Sequence, residues 1–332
     1  MAKIELAHGG GGRQTQELIS RFFHHYLDDP EIRKLDDGAV IGDQVFSTDS
    51  YVVKPLFFPG GDIGKLAVCG TANDLAVMGA EPQFLSLGFI IEAGFDVADL
   101  GRILCSIRAA ARRIGVRIVT GDTKVVEKGK ADGLFINSSG IGRIRFPGGN
   151  RLGMDRMSEG DRIIVSGPLG CHGIAVWLAR NEFRLQSRVV SDVAPLWPLI
   201  RSLLDFPITF MRDPTRGGLA QVLNEMASGG RHIGIEIDER QIPVSAAVRT
   251  VCDMLGFDPL VLANEGRVVV VVADAAAEAV LQTMRRHPLG RQARLIGRIV
   301  RGHPGGRVAL RTTLGTERII MPPVGELLPR IC

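Results

Sequence analysis

Twice along the chain, segments patterned as strands give way to segments patterned as helices, with the turn-like FPGGN at 146–150 between the two series. No other feature constrains the fold as much, because repeated strand-to-helix switching calls for layered sheets and helices. In the first series, VFSTDSYVV (45–53) reads as a strand and DIGKLAVCGTANDLAVMGA (62–80) as a helix. FLSLGFII (84–91) reads as a strand, VRIVTGDTK (116–124) as a strand running into a loop, and 134–144 as another strand. Residues 96–114 place Val97, Leu100, Ile103, Leu104, Ile107, Ala111 and Ile114 at helical spacing. Upstream, 13–27 sets Leu18, Phe22 and Tyr26 on one helical face. The second series runs from DRIIVSGP and HGIAVWLAR to the apolar RVVVVVAD and the helix AAAEAVLQTMRR. We therefore expect an N-terminal segment (1–38), a first domain (39–150), a second α/β domain (151–312) and a tail (313–332) ending MPPVGELLPRIC.

Composition narrows the classes. At 45% hydrophobic and 23% charged, the 332 residues resemble an ordinary globular protein rather than a disordered one. No apolar run approaches the ~20 residues of a membrane span, and MAKIELAHGGGG lacks a secretory signal. Cytoplasmic residence, with no membrane partner, is the default. Aromatics at 5% argue against a nucleic-acid platform built on stacked rings. The five cysteines are widely spaced without a CxxC pair, which argues against a structural zinc site or a disulfide framework. Four of them read as core thiols, and Cys332 stands apart on a proline-spaced tail. Residues 283–332 carry ten Arg and two Glu, a local +8 within a net +4, suited to an anionic partner or simply to solvent.

Common nucleotide motifs are missing. GGDIGKL is one residue short of a Walker A loop, and neither GxGxxG before a helix nor GxSxG occurs. Carboxylates in glycine- or threonine-rich settings stand out instead: Asp37 (DDGAV), Asp49 (STDS), Asp74 (TANDLAVMGA), Asp122 (TGDTK) and Asp213 (RDPTRGG). Asp49 interrupts an apolar strand and Asp74 an apolar helix, so helix-cap or turn roles, which fit Asp37 and Asp213 well, suit these two less. Several such carboxylates together suit Mg²⁺, which binds through carboxylates and substrate phosphates. Arg216, beside Gly217 and Gly218 at a helix start, is placed to meet an anion. Lys124 is a candidate phosphate ligand or an ordinary surface lysine. Glu265 in NEGR is a candidate general base or a turn carboxylate. His172 in GCHG is a candidate ligand or a structural residue, and His8 with Gly9–Gly12 a candidate phosphate flap or a mobile end.

HGGGG, DDGAV, STDS, NDLAVMGA, GDTKVV, DPTRGGL, NEG and PRIC, in this order over the whole chain, resemble the HypE family of hydrogenase maturation proteins. That family lies in the superfamily of aminoimidazole ribonucleotide synthetase and selenophosphate synthetase. The resemblance implies an α/β (α+β) two-domain fold, with first domains joining into a barrel in a homodimer and ATP between the domains. Mg²⁺ would sit on Asp37, Asp49, Asp74 and Asp213. Asn73, Asp122, Thr123, Arg216, Gly217 and Gly218 would join them around the nucleotide. The resemblance further implies that a carbamoyltransferase, HypF, loads Cys332. ATP-dependent dehydration then leaves a thiocyanate, with Lys124 or Glu265 as base, and the cyanide passes to iron on a HypC–HypD complex. A selenophosphate synthetase or small-molecule kinase is the nearer rival, although no Cys precedes Cys69. A non-catalytic scaffold is the other rival.

Overall fold

The structure is a computed structural model, described for all residues except 1–2, 148–151, 181–186, 230–232, 303–305, 326–327 and 329. Most of the expected turn at 146–150 falls outside the described residues. Each series of elements builds its own sheet. The first sheet runs β1-β2-β7-β5-β6, from β1 (Ala39–Ile41), β2 (Gln44–Tyr51), β5 (Ala80–Glu92), β6 (Arg117–Val126) and β7 (Leu134–Ile144). A small hairpin, β3 (Phe57–Phe58) with β4 (Gly61–Asp62), stands apart. The second sheet runs β14-β13-β10-β12-β8-β11-β9. Its strands are β8 (Arg162–Val165), β9 (Ile208–Arg212), β10 (Ile233–Asp238), β11 (Val269–Val272), β12 (Arg294–Arg301), β13 (Val308–Arg311) and β14 (Glu317–Ile319). Among the described residues, only β5–β6 and β10–β13 pair in parallel.

The helices are α1 (Arg13–Leu18), α2 (His24–Tyr26), α3 (Pro30–Arg33), α4 (Ile63–Val77), α5 (Val97–Ile114), α6 (Cys171–Ala179), α7 (Trp197–Arg201), α8 (Gly218–Gly229), α9 (Ala246–Leu255) and α10 (Ala277–Arg286). A π turn at Ile19–Phe23 joins α1 to α2. Helix α5 has one apolar stripe and lies on the first sheet with only Ile103, Ile107, Ala110 and Ala111 buried. Helix α4 is mostly apolar on every side, and every residue of it except Lys65 and Asp74 is buried. Its start is capped by Asp62, whose carboxylate accepts from Gly64 N–H (2.8 Å) and Lys65 N–H (2.9 Å). One side of α4 packs on the first sheet, while Ala76 and Val77 join the core of the second half. This helix is therefore the joint between the two halves.

Four expectations need correction. The segment 116–124 does not run into a loop, because β6 stays paired with β5 through Val126. The tail begins later than residue 313: β14 pairs with β13 and Ile320 is buried, although β14 is too short and too exposed to show a strand pattern. Phe22 and Tyr26 are exposed, so their helical face is not core within one chain. Cys105 is exposed on the outer side of α5. Among the described residues, no helix is long and apolar enough to cross a membrane.

Candidate active site

Strand periodicity positions the first carboxylate. Along β2, Val45, Ser47, Asp49 and Tyr51 share one face, and that face meets α4. Helix α4 answers with Thr71 and Asp74. Ser47 Oγ–H donates to Asp74 (2.8 Å), and Tyr51 O–H donates to Asp49 (3.1 Å) while standing 3.3 Å from Thr71 Oγ1. The close approach needs a glycine, since a Cβ on Gly70 would fall 2.2 Å from the Tyr51 oxygen. Asp213 and Arg216 arrive from the turn between β9 and α8, and Glu265 from the bend before β11. Asp37 enters ahead of β1.

These groups line one cavity of about 420 Å³: Asp37, Asp49, Asp74, Asp213 and Glu265, with Arg216 and Cys332. An adjoining, less polar cavity of about 240 Å³ shares Ser50, Arg216 and Cys332 and is closed by Gly9, Gly10, Gly217 and Pro323. The N-terminal glycine loop thus lies on the tail, where Arg13 N–H donates to Pro323 O (3.1 Å). Gly217, at φ +77°, makes the turn into α8 beside this cavity.

Electrostatically the larger cavity is overfilled with carboxylates. Burial, then the charges of Asp49, Asp213 and Asp37, push the Asp74 carboxyl well above its ordinary range. Burial, then Asp37 and Asp49, does the same to Asp213. Glu265 is raised by burial, then by Asp213, Asp192 and Asp49. Asp49 is raised by burial against the pull of Arg216. Asp37 is pushed up to about 6 by burial, although Arg212 donates to it at 3.2 Å. The charges of Cys332, Asp49 and Glu265 raise Arg216 against its partial desolvation. Asp213 Oδ2 and Glu265 Oε1 are buried without a hydrogen-bond partner. A native fold rarely leaves such oxygens unpaired unless something else meets them.

The chain matches the AIR synthase related protein family through its N-terminal domain over residues 35–144 and its C-terminal domain over 158–309. It is 48% identical to the carbamoyl dehydratase HypE of Rhizobium leguminosarum bv. viciae, over 99% of this chain and 95% of that protein. A solved HypE–HypF complex matches with a TM-score of 0.88 at 47% identity, covering 92% of this chain and 99% of that one. A solved hydrogenase maturation protein HypE in complex with ATP matches at 0.82 and 42%, covering 99% and 100%.

The chain belongs to the HypE family. Within that family's two-domain fold, the structure gathers some of the anticipated residues and leaves others out. Asp37, Asp49, Asp74, Asp213, Arg216, Glu265 and Cys332 share the larger cavity, and Gly217 lines the smaller one. Lys124, Asp122 and Thr123 do not reach the cavity of their own chain. They lie on β6, the outer strand, three strands from β2, or about 14 Å at ~4.8 Å per strand. There Lys124 Nζ pairs with Asp122 (2.8 Å), and both side chains are more than two-thirds exposed. Asn73 is no nucleotide ligand here, because its amide is consumed by backbone: it donates to Ala194 O (3.1 Å) and Glu265 O (3.2 Å) and accepts from Leu196 N–H (2.8 Å). Gly218 is also structural, since a Cβ there would lie 2.6 Å from the Leu260 and Leu262 carbonyl oxygens.

Sequence reasoning missed Arg212. Its buried guanidinium bridges Asp37 and Glu225 (2.6 Å) and caps the Leu35 carbonyl (2.6 Å), tying the N-terminal segment to β9. An arginine ending the apolar run ITFM, next to a buried Asp, was the available signal. Tyr51, which orients Asp49, was legible only as the third residue of the alternation 47, 49, 51.

Proposed function

We propose that this chain dehydrates a carbamoyl group carried on the Cys332 sulfur to a thiocyanate, at the expense of ATP. The observation that carries the reading is the meeting of Cys332 with Arg216, Glu265 and four aspartates, Asp213 buried and the other three half-buried, in one cavity. The carbamoyl dehydratase relatives and the ATP-bound HypE structure support it. Bound ATP supplies the phosphoryl group that turns the amide oxygen, a poor leaving group, into phosphate. Arg216 stands where negative charge develops beside the thiol and stabilises it. Glu265 is the base this chain itself brings to the cavity. Burial, then the neighbouring carboxylates, raise its pKa, which suits it to take a nitrogen-bound proton. Cys332 keeps its S–C bond throughout, while the carbon loses its oxygen to phosphate and its nitrogen loses two protons.

Mg²⁺ fits this donor set. The orphaned oxygens of Asp213 and Glu265 and the raised carboxyls of Asp49 and Asp74 would gain from a cation. Among the described residues no three acidic, His or Cys groups form a ready metal cluster. That agrees with an ion held partly by substrate phosphates. Asp37, already paired with Arg212, is the least available of the four proposed ligands.

The decisive experiment is mass spectrometry of the peptide ending in Cys332 after incubation with a carbamoyltransferase of the HypF type, carbamoyl phosphate and ATP. A carbamoyl adduct should appear first and then lose one water when ATP is present. An adduct that never loses water under saturating Mg²⁺-ATP would reject the dehydratase reading.

We further propose a homodimer through the first sheet. Strand β6 is an open edge whose Val119 and Val125 are 51% and 67% exposed, an arrangement that invites pairing. A dimer formed there would carry Asp122, Thr123 and Lys124 into the interface, the route by which Lys124 acts as a second base. Light scattering at micromolar concentration should show twice the 35.9 kDa chain mass, and a purely monomeric species would contradict it. Cytoplasmic residence and cyanide transfer to a HypC–HypD iron complex belong to the same proposal.

A further inference from the structure

His172 is buried completely, at the start of α6, and no step above uses it. Its two ring nitrogens have separate tasks. Nδ1 lies 2.8 Å from Ser191 Oγ, and Ser191 Oγ also accepts from Val193 N–H (3.1 Å). Nε2 lies 2.8 Å from the carbonyl oxygen of Ile331. A carbonyl only accepts, so Nε2 carries the proton; the Ser191 hydroxyl then donates its own to Nδ1. Phe58 packs edge-on against the ring at 5.4 Å and holds its plane.

Residues 330–332 run beside 52–54 and are tied to them by two backbone hydrogen bonds. Lys54 N–H donates to Arg330 O (3.1 Å) and Val52 N–H to Cys332 O (3.0 Å). These two bonds serve the carbonyls of 330 and 332, and the left-handed turn at Arg330 (φ +55°) leaves that of 331 to find another donor. Ile331 is 5% exposed, and water cannot readily serve a carbonyl placed there. We propose that His172 is the latch that keeps residues 330–332 docked, by supplying the Ile331 carbonyl with a donor that the two backbone bonds do not, and thereby positions the Cys332 thiol in the cavity. It is a positioning residue and touches no reacting atom.

The inference rests on Cys332 being the reacting thiol, but its test needs no turnover, so the two readings fail separately. The probe is iodoacetamide, with Cys332 alkylation followed by mass spectrometry of the C-terminal peptide in the full chain. His172→Asn keeps an amide near the Ser191 partner and loses the reach to Ile331. His172→Gln places an amide nitrogen near the Nε2 position. Leaving the buried carbonyl unpaired should raise the alkylation rate about tenfold or more in His172→Asn, with His172→Gln within about twofold of wild type. A His172→Asn rate within about twofold of wild type, or an equal rise in both variants, would overturn the latch. Nitrogen-15 NMR of the imidazole in the unmodified chain keeps the question open to test even where a variant fails to fold. A protected Nε2–H that is lost on truncation after residue 329 supports the latch. An Nδ1–H tautomer, or equal protection in both chains, overturns it.

Discussion

Cys332→Ala should abolish cyanide formation entirely and leave Mg²⁺-ATP affinity within about twofold. In the proposed reaction the sulfur carries the substrate, so no neighbouring group can replace it by partial stabilisation. Other thiols are badly placed. Cys69 and Cys252 are buried in apolar clusters, where burial pushes their thiols up to about 12 and about 11. Burial likewise raises Cys171, to about 11, and Cys105 sits on the outer side of α5. A thiol held that far above neutrality offers almost no thiolate for loading. The variant keeps the carbonyl that accepts from Val52 N–H, so the tail retains its backbone docking and the cavity its carboxylates. The measurement is cyanide released from the denatured chain after incubation with the carbamoyl donor, alongside calorimetry of nucleotide binding. Cyanide from the variant above the no-enzyme background would remove Cys332 from the reaction. A loss of nucleotide affinity as large as the loss of cyanide would mean that the thiol also builds the nucleotide site.

How much of this could be read from letters differs element by element. Helix α5 was legible to its ends, because one apolar stripe ran from Val97 to Ile114 and Gly115 adopts a left-handed conformation (φ +85°) at its close. Asp49 and Asp74 were legible because each breaks an apolar pattern, and a carboxylate in such a place needs a reason. Their convergence was not, since it depends on β2 lying next to β7 and on α4 crossing beneath, a pairing that spans 90 residues from Asp49 to its partner Ser138 and beyond. The GDTK stretch shows the limit most clearly. Its letters match the family, yet the strand order puts it on the edge remote from Asp49, and the homodimer proposed above would be needed to bring it to a site. Asn73 shows the opposite failure: a polar residue next to Asp74 in sequence points about 100° away from it round the helix and serves the joint between the two halves.

Asp74→Asn should do two opposite things: weaken Mg²⁺-ATP binding by about tenfold or more, ~1.4 kcal/mol, and stabilise the ligand-free chain by an amount on the order of 1 kcal/mol. The reason is the same for both. Asp74 lies among Asp49, Asp213 and Asp37 without a cation of its own, and burial and those charges raise its carboxyl. The amide retains the oxygen that accepts from Ser47 O–H while removing one like charge from the cluster. The pH dependence has a definite sign. A carboxyl raised in the folded state binds its proton more tightly there than in the unfolded chain. Its contribution to stability is therefore present below the unfolded value of ~3.9 and is lost as pH rises toward the folded value. For Asp74 that window opens near pH 4 and extends upward. Asp37, raised to about 6, adds to the same loss in wild type and variant alike. Thermal melts in EDTA should thus show nearly equal wild type and variant near pH 4, and a variant advantage that grows toward pH 8. Saturating Mg²⁺-ATP should reverse the order, because a ligand stabilises with the logarithm of its concentration over its Kd and the wild type binds it more tightly. A variant less stable than wild type at pH 8 without Mg²⁺ would show that Asp74 is satisfied by its neighbours rather than strained by them. An unchanged Mg²⁺-ATP affinity would take it out of the nucleotide site.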